Sequence, residues 1–538
     1  MVTLLAGSRI GRVLPGGACP DCNVAAMEIN DVAVVGLGTM GAGIAEVFAR
    51  AGIGVVAIEV DAAALNRGVG ILDASLSRAV SRGRLTASEQ ADIRSRVRPA
   101  TAFSEAARVD LAIEVVPEQL QIKHQIFAEL DRVCSPAAIL ATNTSSLSVT
   151  AIAAATRRPG RVVGMHFFNP APVMRLVEVV STVLSDDGVP EAVAELARRL
   201  GKTPVQVGDR AGFVANALLL PYLNHAVSLL DTGYAAAADI DLAVTAGIGL
   251  PMGPLALLDL IGLDTSLSIL EVLRGEFGLP RYIPAPLLRR LTAAGRTGRK
   301  SGRGIYDYAD NGTNDNHQDG NEASTPPDTV TLIGSGDEAE ADLATAMASA
   351  GINVTRNAAH PSDLVLIAAA AGRPVLPAAL AAGRPEQSVG LHLPGGLHEP
   401  GGLQAGSLAE IVQTSLSSSG AVATGMALAG RLGLTAVRAA DRPGFLVGAL
   451  LYPHLADAVR MAQDGYASPA DIDAAMTLGC GYPQGPFQLL DAAGPAAVLA
   501  GLEAMYDAYG YPAFAPPPLL AEHAAAGIPF GGRSPAAR

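Results

Sequence analysis

An α/β domain followed by an all-α domain, then a degenerate second copy of both, is the fold class the sequence predicts. Three observations carry this. A Gly36-Leu37-Gly38-Thr39-Met40-Gly41 turn lies between a β-branched strand pattern and a helical pattern. From Gly212 onward, long apolar helical patterns replace strand patterns. Beyond a polar stretch at 309–328 the same succession recurs with its chemistry-bearing residues altered. At 538 residues the chain exceeds what one core serves, so three to five domains are expected.

Residues 1–27 carry no continuous apolar run of the signal-peptide kind and are expected to be a disordered extension, with Met27 a candidate start of the folded chain or of translation. Cys19-Pro-Asp-Cys22 has redox or zinc spacing. It stands in a Gly-rich leader without a second ligand pair, so an unstructured tail is favoured and no metal is expected. The folded part begins with a strand over Asp31–Val35, the glycine turn, a helix over Ala42–Ala51 ended by Gly52, and a strand over Val55–Ile58. A lone GxGxxG is a weak signal, but strand before, helix after and an acid at the end of the next strand make a Rossmann-type dinucleotide site. Gly36 permits the tight turn, Gly38 lets backbone approach a pyrophosphate, and Gly41 lets helix and strand pack closely. The helix N-terminus offers N–H groups to the phosphates. Glu59 is placed for the adenosine ribose hydroxyls and would repel a 2′-phosphate, which favours NAD over NADP.

Two further strand patterns follow, in 110–118 and 138–147, the second ending in Asn143, Thr144, Ser145 and Ser146. Ligands of parallel sheets bind beyond the strands' carboxyl ends, where these groups fall. One serine can cap the next helix while the other binds substrate. The segment GMHFFNPAPVMRLVEVV (164–180) reads as strand, turn and strand, with His166 ending one apolar run and Glu178 inside the other. Pairing across the turn brings carboxylate to imidazole, which would raise the His166 pKa and fix its tautomer, leaving the second nitrogen to take a proton. Alone, His166 is most simply a satisfied core histidine. With a dinucleotide turn, a hydroxyl cluster and an acidic partner, a general base is favoured.

Together, GLGTMGAGIA, ATNTSSLSVT, the 164–180 segment, DRAGFVANALLLPYLNHAV, DIDLAVTAGIGLPMGPLALLDLIGLD and GRKSGRGIYDY closely resemble the L-3-hydroxyacyl-CoA dehydrogenases, particularly the bacterial 3-hydroxybutyryl-CoA type, over roughly residues 28–308. The resemblance implies NAD-dependent oxidation of an L-3-hydroxyacyl-CoA to the 3-ketoacyl-CoA, with His166 as base and Glu178 orienting it. Ser145 and Asn216 would face the substrate. Met40 would belong to the phosphate turn, and Glu118, Lys123, Ser145, Asn169 and Lys300 would surround the cofactor. Ser75 and Arg82 would touch coenzyme A. For Lys123 and Arg82 a solvated helix face competes. A short 3-hydroxybutyryl substrate is expected. The alternative is 3-hydroxyadipyl-CoA of aromatic (phenylacetate) breakdown, whose enzymes share the extended layout. A free-acid dehydrogenase, typically with a lysine base, is disfavoured by the His/Glu pair, and a silent binding or structural protein is the non-enzyme alternative.

The expected organisation is a Rossmann domain at 28–211, a helical domain at 212–308 of the kind that closes the crevice and makes a dimer contact, and a linker at 309–328. A degenerate Rossmann-like domain at 329–440, a second helical domain at 441–530 and a tail at 531–538 complete it. In the second copy Ala339 replaces the third turn glycine, Asp337 and Glu338 would repel phosphates, and Ala358 replaces the ribose acid. Gly448 stands for Asn216. Asp363 and His392 are about half as far apart as Asp110 and His166, so the strand carrying the Asn-Thr-Ser-Ser cluster is missing. His392 and Glu410 persist without a cofactor turn. This half is therefore expected not to be a dehydrogenase, and its helical part to stand in for a second subunit as an intrachain pseudo-dimer, with a homodimer left open.

A net charge of −13 disfavours nonspecific nucleic-acid binding. No apolar run reaches membrane-spanning length, the one from Leu364 being broken by Arg373 and Pro374. Four cysteines without a disulfide framework suit a reducing cytoplasm.

Overall fold

The computed structural model describes residues 28–308, 325–334, 338–356, 362–370, 372–394 and 406–531. The expected N-terminal extension with Cys19 and Cys22, most of the linker, Asp337, Ala358 and most of the tail lie outside the described residues.

The first sheet has eight strands in the order β3-β2-β1-β4-β5-β6-β7-β8. They are β1 (Asp31–Val35), β2 (Gly54–Ile58), β3 (Val97–Ala100), β4 (Leu111–Glu114), β5 (Ile139–Thr142), β6 (Val162–Phe167), β7 (Leu176–Ser181) and β8 (Thr203–Gly208). Only β6 and β7 pair antiparallel. Near-continuous Val, Ile, Leu and Ala runs suit these strands because helices cover both faces. The turn after β1 feeds the Thr39–Arg50 helix, which starts earlier than its apolar periodicity because Gly38 itself is the N-cap.

The second sheet keeps six strands in the order β10-β9-β11-β12-β13-β14: β9 (Thr329–Ile333), β10 (Asn353–Thr355), β11 (Leu364–Ala368), β12 (Ser388–His392), β13 (Leu408–Gln413) and β14 (Thr435–Ala440). Here β11 pairs directly with β12, so no counterpart of β5 lies between them. The antiparallel pair recurs as β12 and β13, with His392 opposite Glu410 as His166 is opposite Glu178. The helix of this half begins at Glu338, with Ala339 inside it.

After each sheet comes a helical unit. In the first, Ala215–Asp231 is followed by Ala237–Gly247, Pro254–Ile261 and Leu263–Phe277; in the second, Val447–Gln463 by Pro469–Cys480, Pro486–Ala493 and Pro495–Tyr509. The two units share one hydrophobic core, in which Leu218, Leu223 and Leu255 join Leu450, Leu455 and Leu490. The far faces of the two sheets have separate cores. Equivalent half-buried aspartates brace the units. Asp241 accepts from the Leu255 and Ala256 N–H groups at the start of one helix, and Asp473 does so from Phe487 in the other. Among the described residues no helix is long and apolar enough to cross a membrane.

Candidate active site

The glycine turn has the geometry its sequence calls for. Gly36 has φ 93°, and a Cβ there would lie 2.8 Å from the Val115 carbonyl oxygen. A Cβ on Gly41 would lie 1.8 Å from the Gly36 oxygen, so helix and strand close only with glycine. At Gly38 a Cβ would meet nothing within 4 Å, which leaves that face of the turn open to a ligand. Glu59, at the end of β2, accepts from the Leu37 N–H at 2.7 Å and so lies against the turn. Glycines, open face and acid together fit the pyrophosphate and ribose of a dinucleotide.

One strand further along, Glu114 ends β4 fully buried. It accepts from Lys123 Nζ at 2.7 Å and from the Thr142 hydroxyl at 2.8 Å. Lys123 is 1 % exposed and also reaches Glu118 at 3.2 Å. The solvated-helix reading of Lys123 is thereby corrected, because two carboxylates supply the partners a buried ammonium requires. Glu118 in turn accepts from the Thr144 hydroxyl and from the Ser145 and Ser146 N–H groups, which fixes the loop after β5. Burial pushes its carboxyl up, but Lys123, Thr144 and the Ser145 backbone outweigh that and hold it below its usual value.

His166 and Glu178 face each other across β6 and β7, with Nδ1 2.7 Å from Oε2. Both are buried. The other Glu178 oxygen accepts from the Val214 and Ala215 N–H groups at 3.0 and 3.1 Å, at the first turn of the Ala215–Asp231 helix. That turn is entered through Phe213 at φ 47°, a left-handed conformation uncommon outside glycine. Phe168 and Phe213 flank the imidazole, with ring centroids 4.5 and 5.7 Å away. Asn216, one residue into the helix, points Nδ2 at the Ser145 carbonyl oxygen, 3.4 Å away. Asn143 accepts from the Phe167 N–H at 2.8 Å and ties the end of β5 to β6. Contacts thus run continuously from His166 through Glu178 and the helix start to Asn216 and Ser145, at the carboxyl end of the sheet.

Not every expected residue joins this constellation. Lys300 is held by Asp264 at 2.6 Å within the helical unit. Met40 and Ser75 are half-buried, and Arg82 and Asn169 are exposed. Sequence reasoning missed Lys202, whose Nζ donates to the Ala171 and Met174 carbonyls at 2.6 and 2.7 Å and pins the Asn169 loop. It also missed Glu114 and Phe213. Only the acid that closes the β4 pattern gave a signal for Glu114, and none marked the others.

The description "3-hydroxyacyl-CoA dehydrogenase, NAD binding domain" matches residues 31–210, and the corresponding C-terminal domain matches twice, at 212–308 and 444–531. A protein of Escherichia coli K12 named 3-hydroxyadipyl-CoA dehydrogenase is 35% identical over 499 residues, 93% of this chain and 98% of that one. The chain belongs to the 3-hydroxyacyl-CoA dehydrogenase family. Its NAD-dependent oxidoreductase class follows from that membership. A Mycobacterium tuberculosis 3-hydroxybutyryl-CoA dehydrogenase is 47% identical over 282 residues, covering 52% of this chain and 99% of that one. A crystal structure of an Escherichia coli K12 3-hydroxybutyryl-CoA dehydrogenase superposes with a TM-score of 0.77 at 34% identity over 93% of this dehydrogenase and 99% of that chain. The second match to the C-terminal domain falls on the second helical unit, so this dehydrogenase carries a duplicated helical domain.

Proposed function

We propose that the chain oxidises a short L-3-hydroxyacyl-CoA, 3-hydroxybutyryl-CoA in the first instance, with His166 as general base and Glu178 as its orienting partner. The 2.7 Å contact between His166 Nδ1 and the buried Glu178 carboxylate carries this reading. A carboxylate accepts, so Nδ1 donates and Nε2 keeps its lone pair for the substrate hydroxyl proton. Glu178 also steadies the imidazolium formed on proton transfer. Ser145 and Asn216 hold the substrate oxygen. Gly36, Gly38, Met40 and Gly41 hold the cofactor's phosphates, and Glu59 its adenosine ribose. Glu118 and Lys123 act by fixing 144–146, and Asn169 and Lys300 serve the cofactor. Ser75 and Arg82, on and just after the Ala62–Ser81 helix, serve the coenzyme A moiety. When bound, NAD supplies the acceptor for the hydride leaving C3.

A second reading, 3-hydroxyadipyl-CoA, is favoured by one observation. A relative that matches both halves of the chain carries that name, while the solved structure that also matches both halves is named a 3-hydroxybutyryl-CoA dehydrogenase. Steady-state rates with the two hydroxyacyl-CoA substrates and NAD decide between them. Turnover of neither, together with none of acetoacetyl-CoA and NADH, rejects the enzymatic reading.

A further inference from the structure

The second half was expected to act as a stand-in subunit; the contacts place part of it directly behind the first half's His/Glu pair. The Pro469–Cys480 helix packs on β7, β8 and the Ala215–Asp231 helix. Along β7, Leu176 and Glu178 point to the same face, two residues apart. A Cβ on Gly479 would lie 2.5 Å from Leu176 Cδ2 and 3.2 Å from Phe168 Cε1, so the helix backbone rests directly on both. Phe168 in turn lies against the His166 ring. Just before the helix, the Tyr466 hydroxyl donates to the Gly208 carbonyl at 2.8 Å, and the Arg210 guanidinium covers the Tyr466 ring at 4.5 Å. Gly208 and Arg210 lead into the segment that presents Val214 and Ala215 to Glu178. Burial, and secondarily the Glu178 charge, push the Cys480 thiol up to about 12, which agrees with the helix's closeness to that carboxylate.

The contact is reciprocal. Tyr234 donates to the Phe445 carbonyl, and a Cβ on Gly247 would lie 2.6 Å from Leu408 Cδ2 on β13. Each half therefore presses a Gly-bearing helix against the other's His/Glu strands. In the second half the corresponding space is filled: Tyr452 lies between Gly448 and Gly501, its Cε2 2.7 Å from where a Gly448 Cβ would sit.

We infer that Gly479 and Tyr466 are positioning residues for the first half's reaction, with the Pro469–Cys480 helix holding Phe168 and β7 so that the imidazole and carboxylate keep their alignment. This rests on the dehydrogenase reading above. It explains why the second helical unit retains its pattern beside a sheet that has lost its cofactor-site residues.

The test uses the full chain. Gly479→Val must displace Leu176 and Phe168, Gly479→Ala does so mildly, and Tyr466→Phe removes only the hydrogen bond to Gly208. Gly479→Val is expected to lower kcat by ~10-fold or more and to move the pH profile of kcat, with KM and NADH affinity within about twofold of wild type. Adding Leu176→Val to Gly479→Ala should recover part of the lost kcat, because a carbon is removed beside the one introduced. The His166 ring titration, followed by NMR in histidine-labelled protein and assigned with His166→Gln, reads the alignment without turnover and should shift in Gly479→Val. If wild type turns over no 3-hydroxyacyl-CoA, the dehydrogenase reading fails and the titration alone judges the inference. An unshifted titration, an unchanged kcat, or losses of kcat and NADH affinity in equal measure would overturn it.

Discussion

Glu178 accepts a hydrogen bond from the Val214 backbone N–H at 3.0 Å with one oxygen while the other lies 2.7 Å from His166. A single carboxylate thus joins the candidate base to the first turn of the helical domain. The degenerate half repeats the arrangement, with Glu410 2.5 Å from His392 and accepting from Leu446 and Val447 at 2.8 Å. Persistence of the clasp beside a sheet lacking the β5 counterpart shows that it serves packing as well as any chemistry.

Two substitutions separate those roles. Glu178→Gln removes the charge and leaves one acceptor oxygen for three donors. It should lower kcat by ~10²–10⁴-fold and cost roughly 1–3 kcal/mol of stability. Glu410→Gln should cost a similar amount of stability yet keep kcat within about threefold of wild type. Melting temperature and initial rate, measured on both variants, read the two effects. Equal kcat losses would show that the Glu178 effect is structural.

At the substrate end, Asn216 meets the Ser145 carbonyl. Asn216→Ala leaves that carbonyl and, on the proposed reading, the substrate oxygen short of a donor. A loss of ~10–100-fold in kcat/KM is expected, equivalent to ~1–3 kcal/mol, with NADH affinity unchanged. Titrating NADH fluorescence alongside the kinetics checks this, and a parallel loss of NADH binding would place Asn216 at the cofactor instead.

Cofactor choice should follow Glu59. Its carboxylate lies against Leu37 in the glycine turn, and on the proposed reading it would meet a 2′-phosphate with like charge. Glu59→Ala is expected to weaken NADH binding by ~10-fold, about 1.4 kcal/mol, while NADPH binding is unchanged or improves. Dissociation constants for both nucleotides decide it.

What the sequence disclosed and what it withheld divide along contact range. The β1 turn, Glu59 and the His166–Glu178 pairing are encoded within short stretches, where period and motif spacing suffice. The missing β5 counterpart was legible as a shortened interval. Burial of Lys123 was not, because a lysine in a helical pattern reads as solvated until Glu114 and Glu118 arrive from other elements. Nor could periodicity tell that Gly479 rests on Leu176, a contact between residues about 300 positions apart whose only local trace is a glycine near a helix end.

Lys202 gives a pH prediction. Burial, and then Arg50, lower its ammonium from 10.5 to about 8. The unfolded chain therefore binds more protons than the folded one between about pH 8 and 10.5, and stability contributed at this position rises with pH across that window. The slope is at most about 1.4 kcal/mol per pH unit. Below pH 8 the full penalty of burying the charge is present. The melting-temperature difference between wild type and Lys202→Met should accordingly move in favour of wild type from pH 8 to 10, and a flat difference would count against the burial cost.

The second half should hold no dinucleotide, so each chain should bind one NADH. Three features of the described residues lead there. β11 pairs directly with β12, which removes the strand that carries the Asn143–Ser146 cluster in the first half. Gly448 replaces the Asn216 side chain, and Tyr452 fills the space beside it. Ala339, inside the Glu338–Ser349 helix, stands where Gly41 closes against Gly36. Isothermal titration of the full chain is expected to give a stoichiometry of one, abolished or strongly weakened by filling the open face of the first turn with Gly38→Trp. His392→Gln should leave kcat and stoichiometry unchanged, while His166→Gln should abolish kcat and keep NADH binding. A stoichiometry of two would mean that the second sheet binds nucleotide despite its lost glycine and strand, and that the two halves share the cofactor rather than dividing chemistry from support.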